Sequence, residues 1–236
     1  GHGIVNMHKA FLVSSNTYFF SLAYKADIKE LSNHLNSLGF GQKVCLDCFD
    51  EDQALVPTPE WKYNVMNAGW VKGDTVNLGI GQGYLLVTPM QLANYASLLA
   101  KKGKFNEPAI VTFDKTKRPL KIWEDARFKD SDWVKMHQAL LGVIENDIGT
   151  ASSIRDLKEF QVAGKSGTAE LVSLDSKEAY QEVRTSELLR DHSIIVAFGP
   201  MPNPRYAVSV VIENGESGGS VAGPVAIEVL KSLINE

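Results

Sequence analysis

Apolar side chains recur at spacings of three and four over roughly the first 100 residues, which is the period of an amphipathic helix. Polar residues that cap helices precede several of these stretches, and Thr88 followed by Pro89 is the clearest helix start. A similar apolar stripe returns in the middle of the chain. The pattern predicts helices that begin after Asn6, Asp27 and Thr88, a helix over residues 17–25 and another over residues 132–145.

Residues 39–83 lack a clear period and carry seven glycines together with Pro57 and Pro59. Glycine and proline interrupt regular structure, so this part of the chain is predicted to be a long irregular region. Long irregular regions in compact domains usually cover a core or carry function.

The pattern changes to strands after Gly149. Runs of β-branched residues predict strands near residues 160–170, 192–199 and 205–213, followed by a helix over about residues 221–234. The last two strands are predicted to pair antiparallel, since a connection of about six residues is too short for a crossover. The order predicts an α+β fold, with a mainly helical lobe in residues 1–150 and the sheet strands and last helix in residues 151–236.

Composition narrows the classes of function. The chain has 236 residues, 44% of them hydrophobic, which excludes a disordered or collagen-like protein. The net charge is −4 without a basic block, so nucleic acid is not an expected partner. The longest apolar run has five residues, far short of a membrane span. The first residues contain neither an initiator Met nor a leader, and we expect the chain to be the interior or C-terminal part of a longer protein.

Two short polar motifs are candidates for chemistry. Lys165-Ser166-Gly167-Thr168 combines a cation with two hydroxyls, which suits a carboxylate, and a glycine that lets a substrate backbone approach. The simpler interpretation of this tetrapeptide alone is a polar strand edge. Ser14-Ser15-Asn16 alone is explained by side chains that satisfy the ends of two helices, which is the usual role of these residue types. Together, S-x-N and K-[ST]-G are two of the three motifs of penicillin-binding proteins and serine β-lactamases.

The chain resembles the class B penicillin-binding proteins over nearly its whole length, and most of all the elongation-specific penicillin-binding protein 2 of Gram-negative bacteria. The most specific stretch is residues 80–89, which reads IGQGYLLVTP. The resemblance implies the transpeptidase fold shared with serine β-lactamases, here lacking its N-terminal part. It is carried by residues 1–3, 14–20, 38–41, 57–61, 73–77, 80–89 and 162–169.

One departure from the family concerns the nucleophile. Members carry it in S-x-x-K, upstream of S-x-N, and no serine in this chain stands three residues before a lysine. The nearest match is Thr112 before Lys115, which falls after the second motif. We therefore expect the acylating serine and its lysine to lie outside this chain, and the chain alone to be inactive.

The resemblance also implies roles for individual residues. Ser14 matches the serine that relays a proton to the leaving amine, and Asn16 the amide that binds the substrate backbone. Lys165 matches the lysine that makes the cleft positive and orients that serine. Ser166 and Thr168 match the hydroxyls that hold a terminal carboxylate, on either side of Gly167. The side chains of Ser14, Asn16 and Lys165 are expected to converge within hydrogen-bond reach, about 2.6–3.2 Å.

By resemblance, the intact protein is expected to be a serine-type peptidoglycan D,D-transpeptidase that also binds penicillin. Its expected partners are stem peptides, β-lactam antibiotics, the scaffold MreC and the glycosyltransferase RodA, without a metal or organic cofactor. It is expected at the periplasmic face of the inner membrane, with any membrane anchor in the missing N-terminal part. Two alternatives stay open, a serine β-lactamase or D,D-carboxypeptidase, and a non-catalytic scaffold-binding fragment.

Two other features leave alternatives. Cys45 and Cys48 form either a disulfide or free thiols, since a zinc site would need two further ligands. A Ser14–His192–Asp191 triad is the other alternative, although adjacent residues of a strand face opposite sides.

Residues 171–190 join two strands expected to be neighbours and are mainly polar. This segment is predicted to be a mobile flap that gates the cleft.

Overall fold

The computed structural model describes residues 1–111, 120–125, 127–171 and 187–235. The α-helices are α1 (Met7–Leu12), α2 (Asn16–Ala23), α3 (Ile28–Ser37), α4 (Pro59–Met66), α5 (Lys72–Leu78), α6 (Pro89–Ala100), α7 (Asp130–Glu145) and α8 (Gly223–Asn235). The strands are β1 (Lys104–Asn106), β2 (Leu120–Ile122), β3 (Ala163–Ala169), β4 (His192–Gly199) and β5 (Tyr206–Ile212). Short 3₁₀ segments cover Ser152–Leu157 and Glu187–Leu189, and a π-helical turn covers Gly218–Ala222. Among the described helices, none combines the length and apolar character needed to span a membrane.

The main sheet has the strand order β3–β4–β5, and both pairings are antiparallel. In the register, Ser166 lies opposite Ile195, and Val196 lies opposite Ser209. The three predicted strands and their antiparallel pairing are therefore confirmed. In the described part of the chain, β3 is an edge strand, and it contains the motif Lys165-Ser166-Gly167-Thr168.

Two apolar cores lie on opposite faces of this sheet. On β4, Ile195 and Ala197 belong to the core under α8, while Phe198 belongs to the core of the helical lobe. Helix α7 contributes to both, with Leu140 in the lobe core and Val143 in the core under α8. The sheet is thus held between a helical lobe and the C-terminal helix, as the α+β prediction requires.

The helix caps predicted from sequence are present. Asn6, Asp27 and Thr88 each accept a backbone N–H at the start of their helices. Thr88 forms a full capping box, because the Gln91 side chain also accepts the Thr88 N–H. Two starts differ by two residues from the prediction, since α7 begins at residue 130 and α8 at residue 223.

The prediction of an irregular region over residues 39–83 was wrong for α4 and α5. Thr58 caps α4 by accepting the Trp61 N–H, and Asp74 accepts the Val71 N–H at the start of α5. These helices have eight and seven residues, about two turns each, which is too short to reveal an apolar period. The pairing of β1 with β2 was also missed.

The loop of residues 42–53 is fixed at its base and at its tip. The buried Gln91 amide donates to the backbone carbonyls of Gln42 and Gln53, both at 2.9 Å. Near the tip, Cys45 and Cys48 form a disulfide with Cα atoms 5.5 Å apart, so of the two open alternatives the structure has the disulfide. Between them, the Asp47 carboxylate accepts two backbone N–H groups of residues 110–111 at 2.8 Å.

Most of the predicted flap falls outside the described residues, which omit residues 172–186. The predictions of mobility and gating therefore stay predictions. The described end of this connection, Glu187–Leu189, is a single 3₁₀ turn that leads into β4.

Candidate active site

The turn between α1 and α2 presents Ser14. Helix α1 ends at Leu12, and Ser14 adopts a left-handed conformation with φ of 49°, which is unusual for a residue other than glycine. Asn16 follows as the exposed first residue of α2. A residue keeps such a conformation only where the surrounding structure offsets its energetic cost, and residues of this kind are frequent at functional sites.

Lys165 lies on β3 and reaches this turn across the cleft. Its Nζ donates to Ser14 Oγ at 2.9 Å and to the Ser166 carbonyl at 2.6 Å. Burial lowers the pKa of Lys165 to about 8. The structure thus brings together Ser14 and Lys165, which stand 151 residues apart in sequence, at the predicted distance. The catalytic roles of both residues, and the expected contact of Asn16 with substrate, stay predictions.

Thr150 is a site residue that the sequence reasoning missed. Its Oγ1 lies 2.7 Å from Ser166 Oγ, and its backbone N–H donates to the Leu12 carbonyl at 3.0 Å. Thr150 therefore connects the end of α1 with the hydroxyl of the β3 motif. A signal existed in the sequence, because Gly149-Thr150-Ala151 repeats the triplet Gly167-Thr168-Ala169.

The end of β3 is open on one side and closely backed on the other. Gly167 and Thr168 are exposed to solvent. Behind them, a Cβ atom at Gly218 would stand 2.5 Å from the Gly167 carbonyl oxygen and 2.9 Å from its nitrogen. The glycine of the π-helical turn therefore permits the backbone contact that supports β3.

A largely apolar cleft of about 350 Å³ separates the helical lobe from the sheet beside Lys165. One wall comes from β3 and β4, the other from the lobe helices and from the segment around residue 85. The apolar residues that line the cleft include Phe11, Leu35, Phe40, Ile80, Leu85, Val87, Tyr95, Met136, Leu140, Ile194, Val196 and Phe198. Lys165 and Thr168 thus contribute polar groups to the lining of a largely apolar space.

The alternative triad receives no support from the geometry. His192 Nδ1 accepts the backbone N–H of Asn214 at 3.0 Å, whereas the Ser14 hydroxyl is bonded to Lys165. The cysteine pair also has a structural explanation, because the disulfide uses both sulfur atoms and Asp47 binds backbone amides.

The chain is similar to known proteins over nearly its whole length. The family model of the penicillin-binding protein transpeptidase domain matches residues 1–231 of this sequence. The peptidoglycan D,D-transpeptidase MrdA of Acinetobacter baumannii is 39% identical over 228 residues, covering 94% of this chain and 34% of that protein.

Two solved structures are similar as well. PBP2 of Pseudomonas aeruginosa in complex with WCK 5153 matches with a TM-score of 0.83 and 35% identity, over 98% of this chain and 48% of that one. PBP2 of Helicobacter pylori in complex with MreC matches with a TM-score of 0.87 and 31% identity, over all of this chain and 41% of that one. The chain spans little more than a third of the length of the curated relatives that it matches. It belongs to the penicillin-binding protein transpeptidase family, as part of a transpeptidase domain of the PBP2 (MrdA) type.

Proposed function

We propose that the whole protein is a peptidoglycan D,D-transpeptidase. The observation that carries this proposal is the 2.9 Å contact between Ser14 Oγ and Lys165 Nζ, beside a strand that bears two further hydroxyls. The relatives named D,D-transpeptidases support the same reaction class. Residues 1–150 and 151–236 are two parts of one transpeptidase domain in this proposal.

In the proposed reaction, a serine outside this chain attacks the carbonyl carbon of the penultimate D-Ala. An ester forms, the amide bond to the terminal D-Ala breaks, and the serine proton goes to the departing amine. The amine of a neighbouring stem peptide then attacks the ester carbonyl carbon. A new amide bond forms, the ester bond to the serine breaks, and a proton of the amine returns to the serine oxygen. The reaction needs proton transfer, carboxylate binding and stabilisation of an oxyanion, all of which the β3 edge is suited to provide.

Each site residue has a proposed role. Ser14 relays the proton, and Lys165, with its pKa lowered to about 8 by burial, orients Ser14 and exchanges that proton near neutral pH. Ser166 and Thr168 hold the terminal carboxylate, and Gly167 lets the substrate backbone approach. The Thr168 N–H donates to the oxyanion, while Asn16 binds the substrate backbone.

The nucleophile comes from an S-x-x-K segment that this sequence lacks. We propose that this segment packs into the apolar cleft, because the cleft is bordered by Lys165 and apolar side chains line both of its walls. The chain without that segment is then inactive in acyl transfer.

Substrates and partners follow from the same proposal. The substrates are stem peptides that end in D-Ala-D-Ala, and β-lactams acylate the same serine. The H. pylori relative in complex with MreC supports MreC as a partner. RodA is the second proposed partner, and the protein acts at the periplasmic face of the inner membrane.

Reaction of the full-length protein with a labelled penicillin tests the proposal. A covalent adduct is expected on the full-length protein and none on residues 1–236 alone. Ser14→Ala should slow acylation by about 10²-fold, the lower range for a positioned proton carrier. Ser21→Ala is the matched control, since the Ser21 hydroxyl is exposed and donates to the Tyr18 carbonyl on α2.

Three outcomes would contradict the proposal. Absence of an adduct on the full-length protein would exclude a penicillin-binding transpeptidase. Continuous hydrolysis of penicillin would identify a β-lactamase instead. Equal acylation rates in the Ser14→Ala variant and the wild type would remove Ser14 from the mechanism.

A further inference from the structure

Gln82 stands on a glycine-flanked turn that faces the open edge of β3. The turn follows α5, and Gly81 and Gly83 on either side both have φ of 77°, a conformation that glycine adopts without strain. A Cβ atom at Gly81 would meet nothing within 4 Å. The turn therefore has space on that side, and its backbone conformation is one that other residues rarely adopt.

The Gln82 side chain pairs with the backbone of β3. Its Nε2 donates to the Thr168 carbonyl at 2.8 Å, and its Oε1 accepts the Glu170 N–H at 3.5 Å. One primary amide thus presents a donor and an acceptor to two backbone groups on the same edge of the strand. This is the pattern that the peptide group of a neighbouring strand would provide.

The bonded groups lie where a peptide would add to the sheet. Thr168 pairs with Ser193 of β4 on one side, and its carbonyl is directed to Gln82 on the other. An extended ligand binds a sheet edge through its backbone N–H and C=O groups, so it needs the carbonyl of Thr168 as an acceptor. The same residue lies three positions beyond Lys165 and is exposed at the cleft.

We propose that Gln82 occupies the substrate edge of β3 in the resting enzyme, and that the amide N–H of an incoming stem peptide or penicillin displaces it from the Thr168 carbonyl. This inference rests on the proposed function. In this role Gln82 determines specificity. A ligand with an N–H at this position breaks the hydrogen bond from Gln82 to the Thr168 carbonyl and forms its own hydrogen bond to that carbonyl. Ligands without that N–H leave the Thr168 carbonyl to Gln82.

The test compares acylation rates of the full-length protein and its Gln82→Ala variant. With benzylpenicillin, whose side-chain amide donates an N–H, the second-order acylation rate should rise about two- to tenfold, the value of one competing hydrogen bond. With the analogue methylated at that nitrogen, the variant and the wild type should react at equal rates. Gln42→Ala is the matched control, an exposed glutamine whose side-chain amide donates to the Asn36 carbonyl and not to β3.

A second measurement does not depend on acyl transfer. Hydrogen–deuterium exchange at the Glu170 amide should be faster in Gln82→Ala than in the wild type and the Gln42→Ala control. Unchanged exchange, or an acylation rate that falls or changes equally for both penicillins, would overturn the inference. If the wild type itself forms no adduct, the proposed function fails and the role in substrate entry fails with it, while the exchange data still decide whether Gln82 covers the strand edge.

Discussion

The ammonium group of half-buried Lys165 is held between the Ser14 hydroxyl and the Ser166 carbonyl. Burial penalises its charged form, which is why its pKa falls from 10.5 to about 8. Neither neighbouring oxygen carries a formal charge that would offset this penalty. A lysine in such surroundings exchanges its proton at a pH where an exposed lysine stays charged.

The pKa of Lys165 predicts a pH-dependent stability. Between about pH 8 and 10.5 the unfolded chain keeps the Lys165 proton and the folded chain has lost it. The unfolded state then binds more protons, so the contribution of Lys165 to the free energy of unfolding rises with pH across this window. Below it, both states are protonated and the penalty of burying the charge is complete.

Urea unfolding of the full-length protein and its Lys165→Met variant measures this contribution. The free energy of unfolding of the wild type, minus the free energy of unfolding of the variant, should increase as the pH rises from about 8 to 10.5. Lys25→Met, at an exposed lysine, is the control for loss of a positive charge. A difference that stays constant with pH would show that the folded protein does not shift the titration of Lys165.

At the scale of elements, β3 is held from behind by the π-helical turn before α8. Gly218 lies directly against the backbone of Gly167, and a Cβ there would collide with backbone atoms that cannot rotate away. Gly218→Ala should therefore displace β3 and lower the free energy of unfolding by about 1–3 kcal/mol, the usual cost of overpacking.

Two measurements check this prediction. Urea unfolding gives the loss of stability, and acylation by labelled penicillin should slow because the hydroxyls of β3 move. Gly69→Ala is the matched control, since a Cβ at Gly69 meets nothing within 4 Å. Equal behaviour of the two variants would mean that the turn does not support the strand.

The sequence predicted those elements whose pattern is local and long enough to read. The strands near β3, β4 and β5 were found from β-branched runs, and α6 from the Thr88-Pro89 start. Thr58-Pro59 is the same start signal at α4, but only two helical turns follow it and the glycines around them obscured it. Short helices of this kind are stabilised by tertiary contacts, which a local pattern does not contain.

At the scale of the whole molecule, the site lies where the helical lobe meets the sheet. Ser14 comes from the lobe and Lys165 from β3, so their distance depends on how the two parts are placed. Thr150 contributes to that placement, because its backbone N–H donates to the Leu12 carbonyl at the end of α1 and its hydroxyl is hydrogen-bonded to Ser166. A single residue thus connects both halves of the site.

Replacing the Thr150 hydroxyl should weaken the connection between lobe and sheet. Thr150→Val should slow penicillin acylation of the full-length protein about two- to tenfold, since Ser166 loses one hydrogen bond. Thr150→Ser keeps the hydroxyl and should react at nearly the wild-type rate. If both variants react alike, the bond to Ser166 does not contribute to the site.

The same scale explains what sequence reasoning found and missed in the site. Ser14 and Lys165 were identified through motifs whose residues are adjacent in sequence. Thr150 and Gln82 act through single hydrogen bonds between distant positions, which span 16 residues from Thr150 to Ser166 and 86 residues from Gln82 to Thr168. The sequence marks both positions, through the repeated Gly-Thr-Ala triplet and the stretch of residues 80–89, but the bonds themselves depend on the folded arrangement of α1, α5 and β3.

The loop of residues 42–53 offers a practical consequence. Gln91 fixes both ends of the loop through backbone carbonyls, so its base does not depend on which side chains stand between them. Phe49 at the tip is 94% exposed. A fluorophore or an affinity peptide introduced at residue 49 would therefore point into solvent from a loop whose base is held in place. The loop is therefore an attachment point for a reporter group on this protein, at a residue that does not line the cleft beside Lys165.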